Sequence, residues 1–187
     1  PTTRSGLVLD DGAIVRYVKG RKAVKVQWIT SDDKGLIVGT TGGEYAVFKP
    51  SNFPNYTPSG FDVRQSTERG CAAVDPIRVD NKVLYIQKNK RTLRQFQYTF
   101  ERDTYASDNL SKFASHLGVP GYVEMDYAAE PHSLVPIRRG DNSVVILTYN
   151  PEDGEDILGW GRHDFAGAQV ESLCVIPQED QRQIGRA

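Results

Sequence analysis

Cysteine, histidine and methionine are scarce in this chain of 187 residues, which has 2 Cys, 3 His and 1 Met. Cys71 and Cys174 stand far apart with no Cys or His at ligand spacing, a pattern that argues against a disulfide-stapled scaffold and against a zinc site. A pair of buried free thiols is expected. An excess of charge of one sign is lacking too: 23 basic residues face 24 acidic ones, for a formal net charge of -1. Only a local patch could therefore draw the chain to nucleic acid or to an anionic surface. No apolar run approaches the length that spans a bilayer, and the opening PTTRSGLVLDDG lacks the charged-then-apolar order of a signal peptide. The sequons at Asn55 and Asn109 are accordingly expected to be chance matches.

What is present is a hydrophobic fraction of 39%, enough for one sizeable domain or two small ones with a real core. Short runs rich in Val, Ile, Tyr and Phe alternate with Gly, Asn and Asp, the punctuation of an antiparallel β protein. Residues 24–49 spell three strands, Val24 to Thr30, Leu36 to Gly39 and Tyr45 to Lys49, with turns at Asp32-Asp33-Lys34-Gly35 and Thr41-Gly42-Gly43. A second unit spans 74–100, with turns at Asp80-Asn81 and around Lys88 to Arg91, and a third spans 134–165. Between these last two runs a weak internal repeat: Pro76, Ile77, Arg78, Asp80, Asn81, Val83 against Pro136, Ile137, Arg138, Asp141, Asn142, Val144.

A spacing of roughly fifty to sixty residues between units of consecutive antiparallel strands points to β-propeller blades. The expected fold is mainly β: antiparallel propeller-like blades over about 20–50, 71–105 and 122–166, with the closing VESLCVIP as the first strand of a further blade. About three blades make an incomplete ring, since closed propellers have about four to eight. Closure then needs other segments or other subunits, and unpaired strand edges invite them. One helix is expected at 107–117, capped by Ser107 or Asp108, with Leu110, Phe113, Ala114 and Leu117 on one face and Gly118 at its end. The Pro-rich 49–62 reads as a surface loop.

Candidate chemistry is thin. Tyr149 to Asp156 lies between two apolar strands as a hairpin tip with Asp153-Gly154 at its apex, and Asp153, Glu155 and Asp156 lack the spacing of a calcium loop. His163 beside Asp164 invites a hydrolytic triad, but neighbours on a strand point to opposite faces and no Ser sits in a nucleophile elbow. His116 near the helix end and His132 after Pro131 do not join it. No catalytic, cofactor-binding or metal-ligating residue is assigned. Lys88, Lys90, Arg91 and Arg94, followed by Phe96 and Tyr98, form the best candidate for a nucleic-acid-facing loop. Glu101 and Asp103 flank Arg102 and are expected to face solvent or pair with it, while Trp28 and Trp160 are expected to close strands as packing aromatics.

Several quoted stretches carry a resemblance: Gln65-Ser66 with Gly70-Cys71, Leu93-Arg94 before Tyr98 and Phe100, and Asp108 to Leu117. Others are Tyr127 with Glu130-Pro131, Leu147-Thr148-Tyr149, and Trp160 through Arg162-His163 to Val175-Ile176-Pro177. Over nearly its whole length the chain resembles bacteriophage and prophage tail proteins of the nozzle or tail-tubular type. The resemblance implies a β-propeller platform in the virion tail, made in the bacterial host cytoplasm and assembled in copies, with other tail proteins, around the genome exit channel. It implies no enzymatic residues and no cofactor, leaving Arg162 and His163 as structural positions of a blade. It also implies a longer protein continuing beyond Pro177, of which this chain is a fragment. The alternative is a propeller-type module that recognises a host surface glycan or protein through Phe53, Tyr56 and Phe61, with a His163 hydrolase behind it.

Overall fold

Among the described residues twelve strands form, and several of the turns between them are built from short polar side chains that hold backbone N–H groups. The computed structural model describes residues 14–15, 24–49, 56–58, 60–150 and 157–176. At the first turn Asp32 Oδ1 accepts the Lys34 and Gly35 amides, each at 2.9 Å, and at the second Thr40 Oγ1 accepts those of Gly42 and Gly43 at 3.2 and 3.1 Å. These turns set β1 (Val26–Ser31), β2 (Gly35–Thr40) and β3 (Gly43–Phe48) side by side, and β4 (Asp62–Thr67) completes a four-stranded sheet in the order β1-β2-β3-β4.

The second sheet runs β5 (Ile77–Val79), β6 (Lys82–Ile86), β7 (Leu93–Thr99), β8 (Thr104–Asn109), also in chain order. Its first turn places Asp80 at φ 53°, the left-handed region that Asp tolerates. The third comprises β9 (Tyr122–Met125), β10 (Leu134–Arg139), β11 (Val144–Asn150) and β12 (Ile157–His163), again as neighbours in sequence. Every pairing within the three sheets is antiparallel.

The middle sheet is covered on both faces. All five residues of β6 are buried, and their alternation sorts them: Val83 and Tyr85 pack with Trp28, Ile37 and Ala46 of the first sheet, while Leu84 and Ile86 pack with Val135, Ile137 and Leu147 of the third. Full burial of each such aliphatic side chain is worth about 1.5–3 kcal/mol. Polar ties cross the same gaps. Tyr149 Oη donates to Gln95 Oε1 at 2.5 Å, and Trp160 Nε1 donates to the Leu110 carbonyl at 3.2 Å. The connectors are pinned as well, with Cys71 N donating to Thr40 O at 2.8 Å and Tyr122 N to Lys90 O at 2.6 Å.

Several sequence expectations are corrected. The 107–117 helix is not formed: Ser107, Asp108 and Asn109 belong to β8, paired with Phe96, Gln95 and Arg94, and only a 3-10 turn follows at Ser115–Gly118. Ladder hydrogen bonds with β7 outcompete helix propensity there. The turn leaves Leu110 and Ala114 buried but Phe113 93% exposed, splitting the supposed helical face. The stretch 170–176 is no strand. It lies against the β10–β11 turn and β9 as an irregular strap, held by Val170 N on Asn142 O at 3.0 Å, Ser172 Oγ on Glu124 Oε1 at 2.7 Å and Val175 N on Asp126 Oδ2 at 2.6 Å.

Cys71 is buried as expected, whereas Cys174 rides on this strap and is exposed. Trp28 and Trp160 are packing aromatics, but each lies within its strand rather than at the end. The internal repeat is real as a local pattern yet out of step with the sheets. Pro76 to Val83 makes the first hairpin of its sheet, β5–β6, whereas Pro136 to Val144 makes the second hairpin of its own, β10–β11. It records similar turns, not equivalent positions.

Candidate functional site

Where the edges of the first two sheets meet, β4 and β8 flank a cleft of about 600 Å³. Strand alternation assembles it. Asp62 and Arg64 lie opposite Phe48 and Ala46, on the face that turns toward the second sheet, and Tyr98 pairs directly with Tyr105 across β7 and β8. Lys34 enters from the β1–β2 turn, and Asp103, at φ 47° after the 3-10 turn Phe100–Arg102, closes the far side.

Aromatic rings continue from the core into this cleft. Phe96 stacks on Tyr105 with centroids 4.7 Å apart, and Tyr105 meets Tyr98 edge-on at 5.4 Å and Phe48 at 6.0 Å. Tyr105 is buried and donates to Asp32 Oδ2 at 2.6 Å, tying the second sheet to the first turn. Burial, and then the adjacent Asp32 carboxylate, raises its phenol well above the usual range. Tyr98 donates to Asp103, which raises the Tyr98 pKa as well. Lys34 Nζ stands 4.9 Å from the Tyr98 ring centroid. Arg64 pairs with Asp62 at 2.7 Å while its guanidinium carbon lies 5.9 Å from the Phe48 ring centroid.

A second polar cluster sits deeper between the same two sheets. Glu44 is fully buried and accepts from the Thr67 hydroxyl and, at 3.1 Å, from Cys71 Sγ. Burial, reinforced by Glu44, pushes the Cys71 thiol far up, so it is held protonated and is a poor nucleophile. Tyr85 shares a 2.8 Å hydrogen bond with Ser107.

Among the basic residues singled out from the sequence, Lys88, Lys90 and Arg91 are exposed on the β6–β7 turn, where Asn89 Oδ1 accepts the Arg91 amide at 2.9 Å. Arg94 is separated from them. It is buried within β7, donating from Nε to Gln87 Oε1 at 2.7 Å and from Nη1 to Ser107 O at 2.8 Å, and burial lowers its pKa. Its cation braces the interior and is not offered by the loop.

Tyr56 is half-buried, its hydroxyl 3.5 Å from the Val47 carbonyl, and Phe61 is half-buried too. Phe53 lies outside the described residues, as do Asp153, Glu155 and Asp156. His163 and Asp164 are both exposed, and Asp164 Oδ1 accepts the Ala166 amide at 3.1 Å in a local turn. Among the described residues no cluster of three or more His, Cys, Asp or Glu could hold a metal ion, and no helix is long and apolar enough to cross a membrane.

Asp103 is exposed, as expected, and from the rim of the cleft it also accepts the Tyr98 phenol. Sequence reasoning missed Lys34, Phe48, Asp62 and Arg64, which line the cleft together with Tyr98. The one local signal was the Asp62-x-Arg64 alternation, which puts both charges on one face of a strand. No protein-family model matches the chain, and no curated protein matches it.

Proposed function

We propose that this chain is a structural platform of a bacteriophage tail, working through shape and subunit contacts, with its three sheets acting as consecutive blades of a propeller-like ring. The observation that carries this reading is the face-to-face succession of three four-stranded meanders, each in chain order, sharing two continuous apolar interfaces. A stack of this kind has two terminal sheets, and in a ring each would find a further blade. The resemblance of the stretches around Gly70-Cys71, Leu93-Arg94 and Trp160 to tail nozzle proteins supplies the setting. The exposed Lys88, Lys90 and Arg91 tip is then the part suited to non-specific contact with DNA phosphates.

The test is the absolute mass of the chain in solution by light scattering over a range of concentrations, together with antibody labelling of phage particles encoded with it. A ring-sized assembly and label at the tail tip are expected. Strict monomers at high concentration and unlabelled particles overturn the reading.

A further inference from the structure

We propose that the cleft between β4 and β8 binds an acidic saccharide, a sugar ring that carries a carboxylate. This site goes beyond the platform reading and does not depend on it. Its volume of about 600 Å³ suits one or a few sugar residues, since small-ligand sites commonly measure about 300–1,000 Å³. Half-buried Phe48 and Tyr98 supply ring surfaces, and the negative face of an aromatic ring attracts the weakly positive C–H face of a pyranose.

Lys34 brings the charge. Its side chain is exposed, its ammonium rests over the Tyr98 ring, and it makes no ion pair among the described residues. A carboxylate placed there would gain a charge-assisted hydrogen bond. The remaining wall mixes donors and acceptors: Gln65, Ser66 and Thr104, the cations Lys49 and Arg64, and the two carboxylates Asp62 and Asp103. Hydroxyl groups, which both donate and accept, match such a wall. A doubly charged phosphate matches it less well, because Lys34, Lys49 and Arg64 stand against Asp62 and Asp103 and leave the lining one net positive charge. One negative charge with many hydroxyls is therefore the chemistry the cleft selects.

Isothermal titration of the whole chain with oligogalacturonate, oligomannuronate and sialyllactose tests this, with the methyl ester of the oligogalacturonate, a neutral galactose oligomer and AMP as comparisons. At least one acidic saccharide is expected to bind, and neutral sugars about tenfold more weakly or worse. Lys34→Ala and Tyr98→Leu should each weaken binding about tenfold while Lys88→Ala leaves it unchanged. Lys34 is exposed, so its variant keeps the fold and the test remains decisive should Tyr98→Leu fail to fold. Absence of binding by all three acidic saccharides at millimolar concentration overturns the proposal. So does equal binding of the neutral forms, tighter binding of AMP, or undiminished binding by Lys34→Ala. None of these outcomes bears on assembly, so the two proposals fall separately.

Discussion

At the scale of single residues, the interface between the first and second sheets depends on what is absent as much as on what is present. Gly39 pairs with Trp28 across β1 and β2, and the indole lies where a β-carbon at position 39 would project. A Gly39→Ala variant is expected to lose about 1–3 kcal/mol, the ordinary penalty of overpacking a tight core. Urea unfolding followed by Trp fluorescence would read this as a lower midpoint at unchanged slope.

Glu44 makes the complementary case. Its truncation to Ala leaves the Thr67 hydroxyl and the Cys71 thiol without their buried acceptor, a loss expected at about 1–3 kcal/mol. Glu44→Gln retains an acceptor and should cost less in the same measurement. The sequence marks neither residue, since a glycine and a glutamate in a strand are individually unremarked until the facing sheet is known.

At the scale of elements, the strap over 170–176 is the part that responds to acid. Glu124 is held below its ordinary 4.5, first by the Ser172 hydroxyl hydrogen bond and then by Arg138, whose Nε lies 2.9 Å from it. A depressed carboxylate contributes stability that is complete above its unfolded value and is lost as pH falls through the folded one. The strap should therefore loosen below pH 4.5 and stay attached at neutral pH. Hydrogen exchange at the Val170 and Val175 amides, compared at the two pH values and with Glu124→Gln, is the measurement. Lower protection in acid, measured against the intrinsic exchange rate at each pH and partly reproduced at neutral pH by the variant, is expected, whereas protection independent of pH would refute the linkage.

Elements also show where local patterns deceive. Leu110, Phe113, Ala114 and Leu117 have helical spacing, yet Ser107 to Asn109 pair with β7. Beyond them, Asn109 Oδ1 accepts the Ser111 amide at 2.9 Å and Ser111 Oγ accepts that of Leu93 at 2.9 Å. Short polar side chains that could cap a helix can equally end a strand and start a turn, and the neighbouring strand decides between them.

At the scale of the whole molecule, the middle sheet has no free face, so the three sheets are expected to unfold together. Removal of the third sheet by ending the chain before Tyr122 would uncover Leu84, Ile86 and Leu93, all 0% exposed in the intact fold. Such a truncated chain should aggregate or bind a hydrophobic dye, whereas the intact chain should melt in one transition. Calorimetry and dye binding on the two chains check this, and a soluble truncated chain with a sharp transition would show that the first two sheets suffice.

The β character, most hairpins and the turns at Asp32, Thr41-Gly42-Gly43, Asp80-Asn81 and Lys88 to Arg91 were legible in the chain alone. Those features rest on backbone preferences and on side chains bonding amides two or three residues away, which are local physics. It is the packing of sheet on sheet that makes Arg94 a buried brace and not a loop cation, lays 170–176 down as a strap, and brings Lys34, Arg64, Tyr98 and Asp103 to one cleft. Sheet stacking joins residues far apart in the chain, and its driving force, the burial of whole apolar faces, has no direction along the sequence from which those meetings could be read.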